Sequence, residues 1–150
     1  MDTTKLVEKL NDLIKLDVDA MHAYDQAIQA CTMDELKRGL GDFRADHDRH
    51  VRELSDCVKQ LGGQPDVRRD FKGFLIGGFT AIVSQGDHSA LVAVQTNEEV
   101  TNSYYRRALE MENLSPDIRK LLEKNYADEQ RHLAWVKAKL ASRVWERRAA

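Results

Sequence analysis

Four stretches of this chain place their apolar residues at steps that alternate four and three. The first reads Leu6, Leu10, Leu13, Asp17, Ala20, Tyr24, Ala27 and Cys31. The second reads Leu36, Leu40, Phe43, His47, His50, Leu54, Cys57 and Leu61. Leu91, Val94, Glu98, Thr101, Tyr105 and Ala108 form the third, and Ile118, Leu122, Asn125, Glu129, His132 and Val136 the fourth. Each series is the inward stripe of an amphipathic helix. The spacing predicts helices over about 4–30, 34–61, 87–112 and 116–147. It predicts an all-α fold.

Connector lengths order these helices. Cys31-Thr32-Met33 is so short that the first two helices must be antiparallel neighbours, with Asp34 as N-cap of the second. The second helix stops at Gly62-Gly63, with Pro65 beyond. Residues 62–86 are long enough to traverse the bundle, and an apolar run in them predicts a crossover helix over about 70–84. That helix packs across the bundle or into a homodimer contact. Asp87 is read as the cap of the third helix. Ser115-Pro116 opens the fourth, Ser115 as N-cap and Pro116 at the first helical position. The whole is one domain over 1–150: two antiparallel helix pairs joined by one long crossover. The helix pairs resemble each other, since Asp17 precedes Tyr24 by seven residues and Glu98 precedes Tyr105 by seven.

Composition adds mainly exclusions. The 150 residues are 32% charged and 42% hydrophobic, with a formal net charge of −2, so nothing favours nucleic acid or an anionic membrane as partner. Arg143, Arg147 and Arg148 read as a solvated helix end. The longest nearly apolar stretch, Phe74 to Val83, falls well short of the roughly 20 residues a spanning helix needs. Met1-Asp2-Thr3-Thr4 lacks the start of a secretory signal, and Cys31 and Cys57 are read as free thiols of a cytoplasmic protein.

The chemistry lies where the stripes are interrupted. Each carries a carboxylate or histidine near mid-helix, and a buried charge costs several kcal/mol unless it is paired or bound to metal. Four interruptions in four stripes make one layer, and the residue types are those of a metal site in a bundle core. The fourth helix supplies Glu129-x-x-His132, a spacing that puts both on one face. The second supplies His47-x-x-His50, and the first and third supply Asp17 and Glu98. The candidate ligands are therefore Asp17, His47, His50, Glu98, Glu129 and His132. Tyr24 and Tyr105 either reach the surface with their hydroxyls or bond a carboxylate of the site. Trp135 is read as packing. Asp19, His22, Asp25, Asp48, His88 and Tyr104 are read as solvated or half-exposed.

These motifs carry a resemblance. Leu10 to Asp17 followed by Tyr24 is similar to the first helix of bacterioferritins. His50 with the Gly-Gly-x-Pro ending resembles their second helix, Glu98 with Tyr105 their third, and Asp128-Glu129-Gln130-Arg131-His132-Leu133-Ala134-Trp135 their fourth. The chain resembles still more closely the small bacterial ferritin-like proteins of unassigned function, which share the Gly-Gly-x-Pro end and the apolar crossover before a Gly-Asp turn, here Gly86-Asp87. The resemblance implies a ferritin-like four-helix bundle with two irons. In it Asp17 and Glu98 would be terminal ligands, Glu129 a bridge, and His50 and His132 one ligand each. Asp46 and Asp128 would accept the far N–H of the opposite helix's histidine and fix its tautomer.

The pattern departs from the family at His47, which stands where the family has a bridging Glu. An imidazole there binds through one nitrogen, and only Asp17, Glu98 and Glu129 remain as carboxylate ligands. That leaves a dinuclear, an asymmetric or a mononuclear centre, with zinc or manganese as alternatives to iron. The expected function is a ferritin-like metalloprotein reacting with oxygen or peroxide in iron handling or stress response. A storage cage is not expected, because that family's cages usually add a short C-terminal helix. The alternative is a structural or interaction bundle held by a metal such as zinc. A small-molecule oxygenase would need a substrate site, and no motif for one is readable.

Overall fold

The computed structural model describes residues 3–68 and 86–147. The crossover helix expected over 70–84, and the homodimer contact assigned to it, lie outside the described residues. The described residues form four long helices: α1 (Thr4–Ala30), α2 (Asp34–Gln60), α3 (Asp87–Leu109) and α4 (Pro116–Ala141). A 3-10 turn follows at Val144–Glu146. α1 packs most extensively on α2, and α3 on α4; α1 also runs along α3, while α2 and α4 touch sparsely. Among the described residues this is an all-α four-helix bundle. Among the described residues no helix is long and apolar enough to cross a membrane.

Burial follows the stripes, with drift. Leu10, Leu13, Tyr24 and Ala27 of α1 and Leu36, Leu40, Phe43 and Leu54 of α2 are buried. Toward the end of α2 the inward position passes from Cys57, half-buried, to Val58, fully buried. A helix of 3.6 residues per turn drifts off a strict four-three alternation over several turns, and α2 is long enough to show it. Asp19, read as solvated, is buried at 6% exposure, because α1 is covered on more than one side. Both cysteines are free thiols.

The ends of the elements correct several expectations. Met33, not Asp34, is the N-cap of α2; Asp34 lies in the first turn, where its charge favours the helix dipole. Asp87 does not cap α3. Its carboxylate accepts the Thr32 N–H at 2.7 Å, the Thr32 hydroxyl at 2.6 Å and the Met33 N–H at 3.4 Å, fastening the α1–α2 connector to the start of α3. Gly86 holds the cap position with φ 103°, a backbone region that glycine enters without steric cost. Helix α3 ends at Leu109 rather than 112: the Met111 N–H turns back to Ala108, and Asn113 takes φ 63°. Helix α4 ends at Ala141 rather than 147. Arg143 takes φ 51°, and the 3-10 turn sends Val144 into the core and Trp145 against His88, rings 4.0 Å apart. Ser115 does cap α4, its hydroxyl accepting the Ile118 N–H at 3.3 Å.

Among the described residues the core forms two apolar clusters. One gathers Ala27, Leu36, Leu40, Phe43, Leu91, Val94 and Val136. The other gathers Leu10, Leu13, Leu54, Val58, Ala108 and Leu122. Asp17, His47, His50, Glu98, Glu129 and His132, all fully buried, belong to neither.

Candidate metal centre

The bundle brings all six sequence-predicted ligand residues into one layer. Two groups form, Asp17–His47–His50–Glu129 and His47–Glu98–Glu129–His132, each with one ligand atom per residue and all those atoms within 4.8 Å of one another. His47 and Glu129 belong to both.

The helix pairs act on each other reciprocally. The Tyr24 hydroxyl of α1 donates to Glu98 Oε1 of α3, and the Tyr105 hydroxyl of α3 donates to Asp17 Oδ2 of α1 at 2.6 Å. The tyrosines are therefore fully buried, with hydroxyls in the site rather than at the surface. His50 Nε2 meets Asp128 Oδ2 at 2.9 Å, and His132 Nε2 meets Asp46 Oδ2 at 2.7 Å. Arg49 donates to Asp46 and to Asp128, and Arg131 donates to both as well.

This arrangement sets the protons. Burial alone would raise the Asp46 and Asp128 carboxyls, but hydrogen bonds from the histidines and the arginines hold both below their usual value. Ionised carboxylates only accept, so His50 and His132 each keep an N–H on Nε2, and Nδ1, which faces inward, is the nitrogen left for a cation. The inner carboxylates divide. Burial opposes Asp17, yet hydrogen bonds from His47 and His50 bring it down to about 2. Glu98 is likewise lowered by His132 and His47 against burial. Glu129 goes the other way, pushed well up by burial and then by the charges of Glu98 and Asp17. His47 is raised to about 10, since its bonds to Asp17 (Nδ1, 2.6 Å) and Glu98 (Nε2, 3.1 Å) outweigh its burial. Without metal, the cationic form of His47 is therefore favoured beside Asp17 and Glu98, and the neutral form of Glu129 is favoured.

Among the six candidate ligands, one buried oxygen is left over. Glu129 Oε1 has no hydrogen-bond partner among the described residues, although it lies 3.4 Å from both His47 Nδ1 and His50 Nδ1. An unsatisfied buried oxygen costs about 1–3 kcal/mol. A cation fits there: mixed imidazole and carboxylate donors suit divalent first-row metals.

Several contributors were not singled out in the sequence. The Thr101 hydroxyl lies 3.1 Å from Glu98 Oε2 and 3.3 Å from Glu129 Oε2. Asn102 donates to the Glu98 and Glu129 carbonyls, and Phe43 stacks on His132 with ring centroids 4.2 Å apart. Thr101 was visible as a polar residue on the inward stripe one turn from Glu98. Asn102 lies off that stripe and gave no signal.

The comparisons with known proteins agree with this fold. The family model described as "Domain of unknown function (DUF2383)" matches residues 5–112, which hold α1 to α3. The chain is similar to the bacterioferritin of Desulfovibrio desulfuricans, at 26% identity over 136 residues, 87% of this chain and 72% of that protein. Its fold is similar to that of a two-domain protein of Anabaena variabilis containing DJ-1/ThiJ/PfpI-like and ferritin-like domains. There the TM-score is 0.79 at 12% identity, over 99% of this chain and 39% of that one. The chain thus belongs to the family of the domain of unknown function DUF2383, and its fold is ferritin-like.

Proposed function

We propose that the buried layer binds iron, up to two ions, and that the protein serves iron handling by reacting with oxygen or peroxide. The observation that carries this reading is Glu129 Oε1. It is a buried oxygen without a donor, 3.4 Å from Nδ1 of both His47 and His50, and the far nitrogen of His50 is tied to Asp128. The likeness to a bacterioferritin supports the choice of metal. Asp17, His50 and Glu129 would hold one ion, and Glu98, His132 and Glu129 the other. Iron bound there would supply one-electron oxidation, with oxygen or peroxide as acceptor. The chain's own part is to orient and to exclude water. Tyr24 and Tyr105 aim the carboxylates, Asp46 and Asp128 fix the histidine tautomers, and the two apolar clusters seal the layer.

The test is metal content per chain on protein purified without chelator or histidine tag. Iron, lost in Glu129→Gln while the helical signal persists, is the expected result, since Glu129 belongs to both ligand groups. Zinc without iron, and no iron-dependent consumption of oxygen or peroxide, would replace this reading with a structural metal. Unchanged metal content in Glu129→Gln would remove the site altogether.

A further inference from the structure

The two halves of the layer are related by the reciprocal pairing of the helices, yet their oxygens are not equally free. In the Asp17 half, His47 Nδ1 and His50 Nδ1 approach Asp17 Oδ1 at 2.6 and 3.3 Å, while the tyrosine donor, Tyr105, occupies the other oxygen, Oδ2. In the Glu98 half, Tyr24, His47 Nε2 and His132 Nδ1 all converge on the single oxygen Oε1. The Thr101 hydroxyl, with one proton to give, lies 3.0 Å from the Glu98 carbonyl, 3.1 Å from Glu98 Oε2 and 3.3 Å from Glu129 Oε2. The position corresponding to Thr101 on α1 is Ala20, which has no hydroxyl, and the oxygen of Glu129 facing the Asp17 half is the one without a donor.

His47 adds to the imbalance. Its Nδ1 faces two oxygens, Asp17 Oδ1 and Glu129 Oε1 at 3.4 Å, whereas its Nε2 faces Glu98 Oε1 alone. A neutral imidazole has one lone pair and one N–H. When Nδ1 is the ligand, Nε2–H donates to Glu98, so one half gains a ligand and the other gains a competing donor.

We propose that Asp17, His47, His50 and Glu129 form the tighter of two unequal cation sites, and that Glu98, His132 and Glu129 form a weaker one. The inference rests on the metal-binding reading above and deepens it. The binding chemistry is that of a divalent first-row cation held by two imidazoles and two carboxylates, filled first, with the second position filled only at higher metal concentration. Thr101 is the positioning residue that weakens the second half.

Anaerobic cobalt(II) titration of the metal-free protein, followed by calorimetry and visible absorption, tests this. The wild type should show a first step at least about 10-fold tighter than the second, the scale on which supporting hydrogen bonds tune metal affinity. His132→Gln should keep the tight step and lose the weak one, and His50→Gln should lose the tight step. Thr101→Ala should leave the first step unchanged and tighten the second. Circular dichroism checks that each variant is folded, and Thr101→Ala introduces only the side chain that α1 already carries in this layer. Two equal steps in the wild type, or loss of the tight step in His132→Gln, would overturn the inference while leaving metal binding in place. Absence of any cobalt binding would overturn both.

Discussion

At the scale of the residue, His47 is the clearest departure and also the best probe of the layer. Its ring bonds Asp17 through one nitrogen and Glu98 through the other, and Tyr24, Glu129, His50 and His132 close around it. Its folded value of about 10 lies above the ordinary 6.5. A group raised on folding contributes stability that is fully present below its unfolded value and is lost as pH rises through its folded one. Asp17 is the partner in the same interaction, so its lowered value describes the acid side of one effect, not a second. The metal-free protein should therefore lose thermal stability as pH rises from about 6.5 to 10, and His47→Gln should flatten that slope. Melting temperatures measured in chelator across this range check it; a wild-type slope unchanged by His47→Gln would show that the charge on His47 does not contribute. Metal affinity should run the opposite way over the same range, since a ligand nitrogen must first lose its proton.

At the scale of the element, legibility depended on whether a signal is local. Pro116, Ser115 and Gly62 mark their boundaries through their own backbone chemistry, and those boundaries were readable. The ends of α3 and α4 were not, because Asn113 and Arg143 take left-handed conformations that their sequence neighbourhoods do not announce, the second in order to bury Val144. Asp87 was misread for a related reason: a residue suited to capping its own helix is used instead by a connector 55 positions away. Long-range fit also governs Gly39. A Cβ there would clash with Trp135 Cζ2 and lie 2.8 Å from Cη2, and that indole packs edge-on against Phe43 (5.1 Å), which stacks on His132. Alanine gains up to about 1 kcal/mol of helix propensity over glycine. Overpacking a rigid ring costs about 1–3 kcal/mol. The second effect should win, so Gly39→Ala should be destabilising by about 1–2 kcal/mol in urea unfolding. It should also weaken metal retention through the Trp135–Phe43–His132 stack. A stabilised Gly39→Ala protein would show that α2 and α4 are free to separate.

At the scale of the whole molecule, the bundle spends its central layer on groups that oppose folding. The six candidate ligands were legible because a charge on an inward stripe has so few physical explanations. Their pairing across the pseudo-symmetric halves was not, because periodicity gives the face of a helix but not its neighbour. Sparse contact between α2 and α4 is bridged by charged side chains, among them Arg131 to Asp46 at 2.8 Å and Lys124 to Glu53 at 2.8 Å. The interior should therefore depend on what occupies the layer, and Glu129 separates the two contributions. Burial and its carboxylate neighbours already favour its neutral form without metal. Glu129→Gln replaces a neutral carboxyl by a neutral amide of similar shape, so the metal-free melting temperature should move little. The same change removes the charge and the oxygen shared by both halves. In wild type, a cation bound only by the folded state adds RT ln(1 + [L]/Kd), about 2.7 kcal/mol at one hundred times Kd. Thermal unfolding with chelator and with excess iron(II) under anaerobic conditions should thus show a metal-dependent rise in wild type, absent or much reduced in Glu129→Gln. An equal rise in both proteins would place the cation elsewhere. A large loss of metal-free stability in Glu129→Gln would mean that its carboxyl makes contacts in the layer that an amide cannot replace.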